Sequence, residues 1–132
     1  MILSASRIGV IGAEDSWVKN VSARYFGYAG VKTSGAIRIT VQDASATDPV
    51  GIRTGGRFYN FDVDHYSQLI LFTGCQAASG RHNFVSNGAM SASGVVWNRC
   101  TTSGGNDSEG HRWWSTGLLF DYITGSGSRL KL

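Results

Sequence analysis

Five short segments of this chain repeat one layout: two inward-pointing apolar positions, a polar or glycine corner, then another apolar residue or Cys. They are Ser16 to Val21, Ile37 to Val41, Ile70 to Cys75, Val95 to Cys100 and Leu118 to Ile123. With Val18, Ile39, Phe72, Trp97 and Phe120 taken as equivalent, the steps are 21, 33, 25 and 23 residues. A unit of that length cannot bury its own apolar side and must stack on its neighbours, and stacked coils of strands form continuous parallel sheets along an axis. The spacing therefore predicts an all-β solenoid of about five coils. The second segment fits the alignment least closely, and the 33-residue step calls for an inserted loop. An antiparallel β-sandwich uses similar strands and turns, but it would not stack Cys75 on Cys100.

Composition agrees with strands joined by tight turns. Charged residues make up 16% of the 132, there are 18 glycines, and no sustained run of helix formers occurs. Helical periodicity is not kept up over the length an amphipathic helix needs. One domain is expected, with residues 1–124 as the β-helix and 125–132 as a loose C-terminal tail. A net charge of +3, with basic residues scattered except for Arg129 and Lys131, says little about partners, and the absence of a recognisable module of aromatic and basic residues ranks nucleic acid low among them. No apolar stretch is long enough to span a bilayer, and Met1 to Val10 lacks the pattern of a signal peptide, so no membrane association is expected and localisation stays open.

The only proline, Pro49, lies in the stretch Ala44 to Gly56, which marks the inserted loop. Strands are expected near Arg7 to Gly12, Ala36 to Asp43, Gln68 to Cys75, Asn83 to Val85, Gly94 to Cys100 and Leu118 to Ile123, with Thr101 to Gly110 as a polar connection. Cys75 and Cys100 fall at the same place in successive repeats, and neighbouring strands lie about 4.8 Å apart. Side chains in one parallel column seldom reach the torsion of a disulfide, so buried free thiols are expected, with a disulfide as the alternative. Asn20, Thr73 and Asn98 take corner positions, where amides and hydroxyls bond to one another and to backbone.

The order of W-V-K-N-V at Trp17 to Val21, G-R-H-N-F-V at Gly80 to Val85 and S-E-G-H-R-W-W-S-T-G-L-L-F-D at Ser108 to Asp121 resembles the right-handed parallel β-helix proteins of the pectate-lyase-like superfamily. The resemblance covers nearly the whole chain, which is short for such proteins. It implies a three-faced coil, stacked Asn or Thr at corners, polysaccharide processing on an exposed face, and an extracellular setting. Fold is implied more strongly than reaction. Asp62, Asp64 and Asp121 form no repeated acidic column like that of the calcium-dependent pectate lyases, and no paired-aspartate motif like that of the polygalacturonases is present.

Candidate chemistry gathers at Arg81-His82 and at Glu109 to Trp114, whose histidines are 29 residues apart, so that stacking can bring them onto one surface. Elimination at a uronic acid needs a cation beside the substrate carboxylate and a group that moves a proton. Arg81 or Arg112 suits the first role and His82 or His111 the second. The plainer alternative has these arginines bonding to backbone corners and the histidines bracing loops. Substrate contacts are assigned to Glu109, Trp113, Trp114, His65 and Tyr66, since alternation turns one of the two adjacent tryptophans outward as a sugar-stacking surface. Trp97 is read as inward, and Trp17 as outward or at the rim beside Val18. Asp62 and Asp64 share an outward face beside His65, as on any solvent-facing strand. No metal site and no cofactor are assigned, because no zinc-type Cys and His spacing occurs.

The expected function is a carbohydrate-active β-helix protein, a lyase acting on an acidic polysaccharide. The alternative is a non-catalytic carbohydrate-binding or self-assembling module. Coil ends expose unpaired backbone and apolar interior, so a homo-oligomer joined through those ends is also expected.

Overall fold

The computed structural model describes residues 6–87, 92–111 and 114–131. Its first coil is β1 (Ile8–Ile11), β2 (Glu14–Lys19) and β3 (Ser22–Arg24), and its second is β4 (Ala29–Ser34), β5 (Ile37–Gln42) and β6 (Ser45–Thr47). The third is β7 (Tyr59–Val63), β8 (Gln68–Thr73) and β9 (Gln76–Ala78). The fourth is β10 (His82–Ser86), β11 (Ser93–Asn98) and β12 (Thr101–Ser103), and the fifth is β13 (Asp107–Gly110), β14 (Thr116–Asp121) and β15 (Thr124–Ser126). A last strand, β16 (Arg129–Lys131), begins another turn. Every third strand pairs in parallel, giving one six-stranded sheet (β1, β4, β7, β10, β13, β16) and two five-stranded sheets. This is a parallel β-solenoid of about five turns, and no helix occurs among the described residues.

The interior is built from columns. In the sheet of β2, β5, β8, β11 and β14, Val18 stacks on Val41, then Phe72, Trp97 and Phe120. The equivalent of Val18 is therefore Val41, not Ile39, which stacks between Ser16 and Ile70, and the true steps are 23, 31, 25 and 23 residues. Apolar residues at both Ile39 and Val41 make the segment look the same two residues along, and only its neighbours settle the register. Trp97 lies between Phe72, with centroids 6.2 Å apart, and Phe120, at 4.3 Å. The three-residue strands supply the small column Ala23, Ala46, Ala77 and Thr102, leaving room for Phe61 and Phe84 of the long sheet, stacked at 5.2 Å. Cys75 and Cys100 are both buried and free. Cys100 beside it, together with burial, pushes the Cys75 thiol up, so it stays protonated.

Each corner repeats one left-handed residue per coil. Asn20, Asp43, Gly74, Arg99 and Tyr122 form one such column, with φ between 49° and 64°. Asp15, Arg38, Leu69, Gly94 and Gly117 form a second, and Tyr25, Asp48, Ser79, Gly104 and Gly127 a third. Ten of the thirteen non-glycine residues with positive φ fall in these columns, so the conformation belongs to the coil and not to the residue type. Asn20 thus sits in a backbone column, while the side-chain ladder next to it runs Thr73, Asn98, Asp121, with Asn98 Nδ2 donating to Asp121 Oδ2 at 2.6 Å.

Two corrections follow at the C-terminal side. The polar stretch Thr101 to Gly110 carries β12 and β13, because in a buried ladder strand identity comes from backbone pairing and not from apolar alternation. Residues 125–131 are not a loose tail: β15 pairs with β12 and β16 with β13.

Gly30 in β4 shows how closely the long sheet meets the short one. A Cβ there would stand 2.6 Å from Ala46 Cβ and 2.7 Å from the Asn60 carbonyl oxygen. Gly30→Ala is expected to lower stability by about 1–3 kcal/mol through overpacking. Gly55→Ala, in open space, should change it by less than about 0.5 kcal/mol. Paired urea melts check the difference.

Candidate functional site

The outer face of the six-stranded sheet carries a buried polar strip whose position depends on a bulge. Asn60 and Asn83, at matching places in β7 and β10, both turn inward. Asn60 Nδ2 donates to the carbonyls of Ala46 (2.6 Å) and Ala78 (2.9 Å), and Asn83 Nδ2 to the carbonyl of Gly104 (2.9 Å). These amides tie the long sheet to the short strands and the corner that follows them. Phe61 and Phe84, one residue later, also point inward, so the strict alternation breaks. The pairing of β10 with β13 accordingly shifts register between His82 and Val85. The shift leaves His82 and Val85 on the outer face, His82 opposite Asp107 and Val85 opposite Glu109.

Val85 divides the strip into two groups. On the C-terminal side, Glu109 stands at the centre: its Oε1 lies 2.5 Å from His111 Nδ1 and 3.3 Å from His82 Nδ1, and its Oε2 lies 3.0 Å from Lys131 Nζ. Asp107 also bonds to His82 Nδ1. Ligating atoms of His82, Glu109 and His111 all fall within 4.8 Å of one another. His82 and Glu109 are 4% and 3% exposed, whereas the side chains of His111 and Asp107 keep 17% and 18% open to solvent. Glu109 and His111 reach the same surface because they are two apart along one strand direction, and His82 joins them from the neighbouring coil.

The charges are mutually arranged. Burial alone would raise Glu109, but Lys131 and the two imidazoles outweigh it and hold its carboxyl below the usual range. Burial lowers His82, against the pull of Asp107, so its neutral form is favoured. The His82 ring is also sandwiched between Tyr59, with centroids 5.6 Å apart, and His111, at 4.8 Å. Its Nε2 is buried without a hydrogen-bond partner.

On the N-terminal side of Val85 stand Asp62 and Asp64. They face outward, but they are 0% and 3% exposed, so the solvent-facing reading is overturned: outward on a sheet is not the same as wet. Asp64 pairs with Lys32 at 2.5 Å and with His65. Neither Asp62 oxygen meets hydrogen-bond geometry, although the Tyr28 hydroxyl and the Asn87 amide lie near enough to favour its anion slightly. Burial first, then Asp64, push the Asp62 carboxyl up to about 8, with Lys32 opposing.

The other candidates are distributed differently. Arg81 turns to Tyr59, donating from Nη1 to the phenol oxygen at 3.3 Å, and so stands at the edge of the histidine group and not within it. His65 and Tyr66 belong to the Asp64 turn and are half open to solvent. Trp114 is 82% exposed and Trp17 73%, while Trp97 is fully buried. Arg112 and Trp113 lie outside the described residues. Sequence reasoning missed Asp107, Lys131 and Asn83; a signal for the asparagine was its match to Asn60 one coil earlier. Beside Asp107 a cleft of about 590 Å³ opens, edged by Asn106, Ser128 and Arg129.

No known family model, no curated protein and no solved structure matches this chain.

Proposed function

We propose that this is a carbohydrate-active β-helix protein that takes an acidic polysaccharide at the cleft beside Asp107, near the C-terminal end of its six-stranded sheet, and cleaves it by elimination at a uronic acid. What supports the reading is the convergence of His82, Glu109 and His111, joined through Asp107 to an open cleft with Arg129 at its edge. In such a step the proton next to the uronate carboxylate is removed, its electron pair forms the new C=C bond, and the bond from carbon to the glycosidic oxygen breaks, that oxygen taking up a proton. In this reading Arg129, at the edge of the cleft, faces the substrate carboxylate, and His111 is the imidazole with solvent access. The expected result is a rise in ultraviolet absorbance from unsaturated sugar ends with at least one of a panel of uronic-acid polymers, reduced about 100-fold or more in His111→Asn.

A second reading, a binding module without catalysis, is favoured by the near-complete burial of His82 and Glu109 and by the exposure of Trp17 and Trp114. Retention of a polymer on an affinity gel with a flat absorbance trace across the panel supports this reading and refutes the lyase.

A further inference from the structure

We propose that His82, Glu109 and His111 are the protein ligands of a divalent transition-metal ion of the zinc class. The geometry is the first reason. Three donors of the right chemistry lie within 4.8 Å of one another, and ligands around one zinc ion, each about 2.0–2.2 Å from it, stand about 3–4 Å apart. Small side-chain rotations suffice to close the difference.

The second reason is a buried ring nitrogen that these proton contacts leave without a partner. Glu109 Oε1 faces both imidazole Nδ1 atoms, and His82 Nδ1 also meets Asp107. A neutral imidazole carries one N–H: His111 can give its own to Glu109 Oε1, and His82 can give its Nδ1–H to Asp107. Its other nitrogen is buried and unpartnered. A cation bound at that Nε2 takes up a lone pair that no proton donor meets, with His111 and Glu109 as its other ligands. Asp107 then stands behind His82 as the outer carboxylate that orients a metal-bound imidazole, an arrangement common around such ions. Lys131, on Glu109 Oε2, leaves Oε1 as the ligating oxygen.

The donor set also selects the metal. Two imidazoles and a carboxylate suit zinc, cobalt or nickel, whereas calcium and magnesium take oxygen ligands. No local spacing motif announces the site, because His82 comes from β10 and the other two from β13 and the residue just after it.

This inference competes with the carbohydrate reading for His111. An ion held here keeps both imidazoles as ligands and supplies positive charge itself, so the histidines do not then move protons. The test takes the full chain, strips it with a chelator and titrates it with zinc by calorimetry and with cobalt by visible absorption. One ion per chain is expected, with His111→Ala and Glu109→Gln each weakening zinc binding about 100-fold or more and Asp107→Asn weakening it about 10–100-fold. Zinc should raise the melting temperature of the wild-type chain and not of the two ligand variants. The melting curves without metal establish that each variant is folded.

Absence of saturable zinc binding, equal binding of calcium, or unchanged affinity in the folded His111→Ala and Glu109→Gln variants overturns the site. Zinc binding with a flat trace on every polymer keeps the site and removes the lyase. Polymer cleavage by a chelator-stripped chain that binds no zinc does the reverse.

Discussion

Trp97→Ala is expected to lower the unfolding free energy by about 3–5 kcal/mol, a large part of what a single domain possesses. The indole is fully buried and is the middle member of the Phe72, Trp97, Phe120 column, so its removal opens a void bounded by two rings that cannot both move into it. The backbone ladder on either side resists collapse, because β11 pairs with both β8 and β14. Trp97→Phe should cost less than half as much: it keeps an aromatic ring in the stack and removes an indole N–H that is buried without a partner. Urea melts analysed with a common slope test the pair. Equal losses in the two variants would show that indole volume, and not stacking, sets the cost, and a loss under about 1 kcal/mol for alanine would refute the continuous column.

Asp62→Asn is expected to stabilise the protein at neutral and alkaline pH. The carboxyl is fully buried and pushed up to about 8, whereas in the unfolded chain an aspartate titrates near about 3.9. Below the unfolded value both states hold the proton and Asp62 adds no pH dependence. As pH rises from about 4 to about 8 the unfolded chain releases a proton that the folded chain keeps, so stability falls, and above about 8 the loss is complete. The span corresponds to a penalty on the order of 5 kcal/mol. The groups around Asp62 are Lys32 on β4, the Tyr28 hydroxyl, Asp64 with its partner His65, and the Asn87 amide after β10. Asparagine keeps the shape and drops the charge. Its urea midpoint should therefore exceed that of the wild-type chain by a margin that widens between about pH 5 and about pH 8. Parallel midpoints across that range would mean that Asp62 keeps its charge in the folded state.

The coil period and the inward column were legible in the sequence because each coil buries its apolar side at the two-residue period of a strand. Phe72, Trp97, Phe120, Cys75 and Cys100 could be aligned by eye for that reason. The match of Val18 to Val41 could not: Ile39 and Val41 both carry apolar β-branched chains, and a parallel strand takes its register from the strands on both sides. The left-handed corners were hidden too, since Arg99, Leu69 and Tyr122 adopt the same φ as the glycines stacked with them.

For the candidate site, histidines one coil apart were enough to anticipate that His82 and His111 would meet, and Glu109 lay in the same short stretch as His111. Which face they meet on, and that Asp107 and Lys131 join them, was decided by two inward asparagines whose amides bond to carbonyls of the neighbouring short strands. Alternation read from the sequence gives residues a side only while the strand stays regular. A bulge exchanges the sides after it. Local order in this chain is therefore written in its spacing, whereas the burial of Asp62 and Glu109 on an outward face arises from contacts that exist only once the coils have stacked.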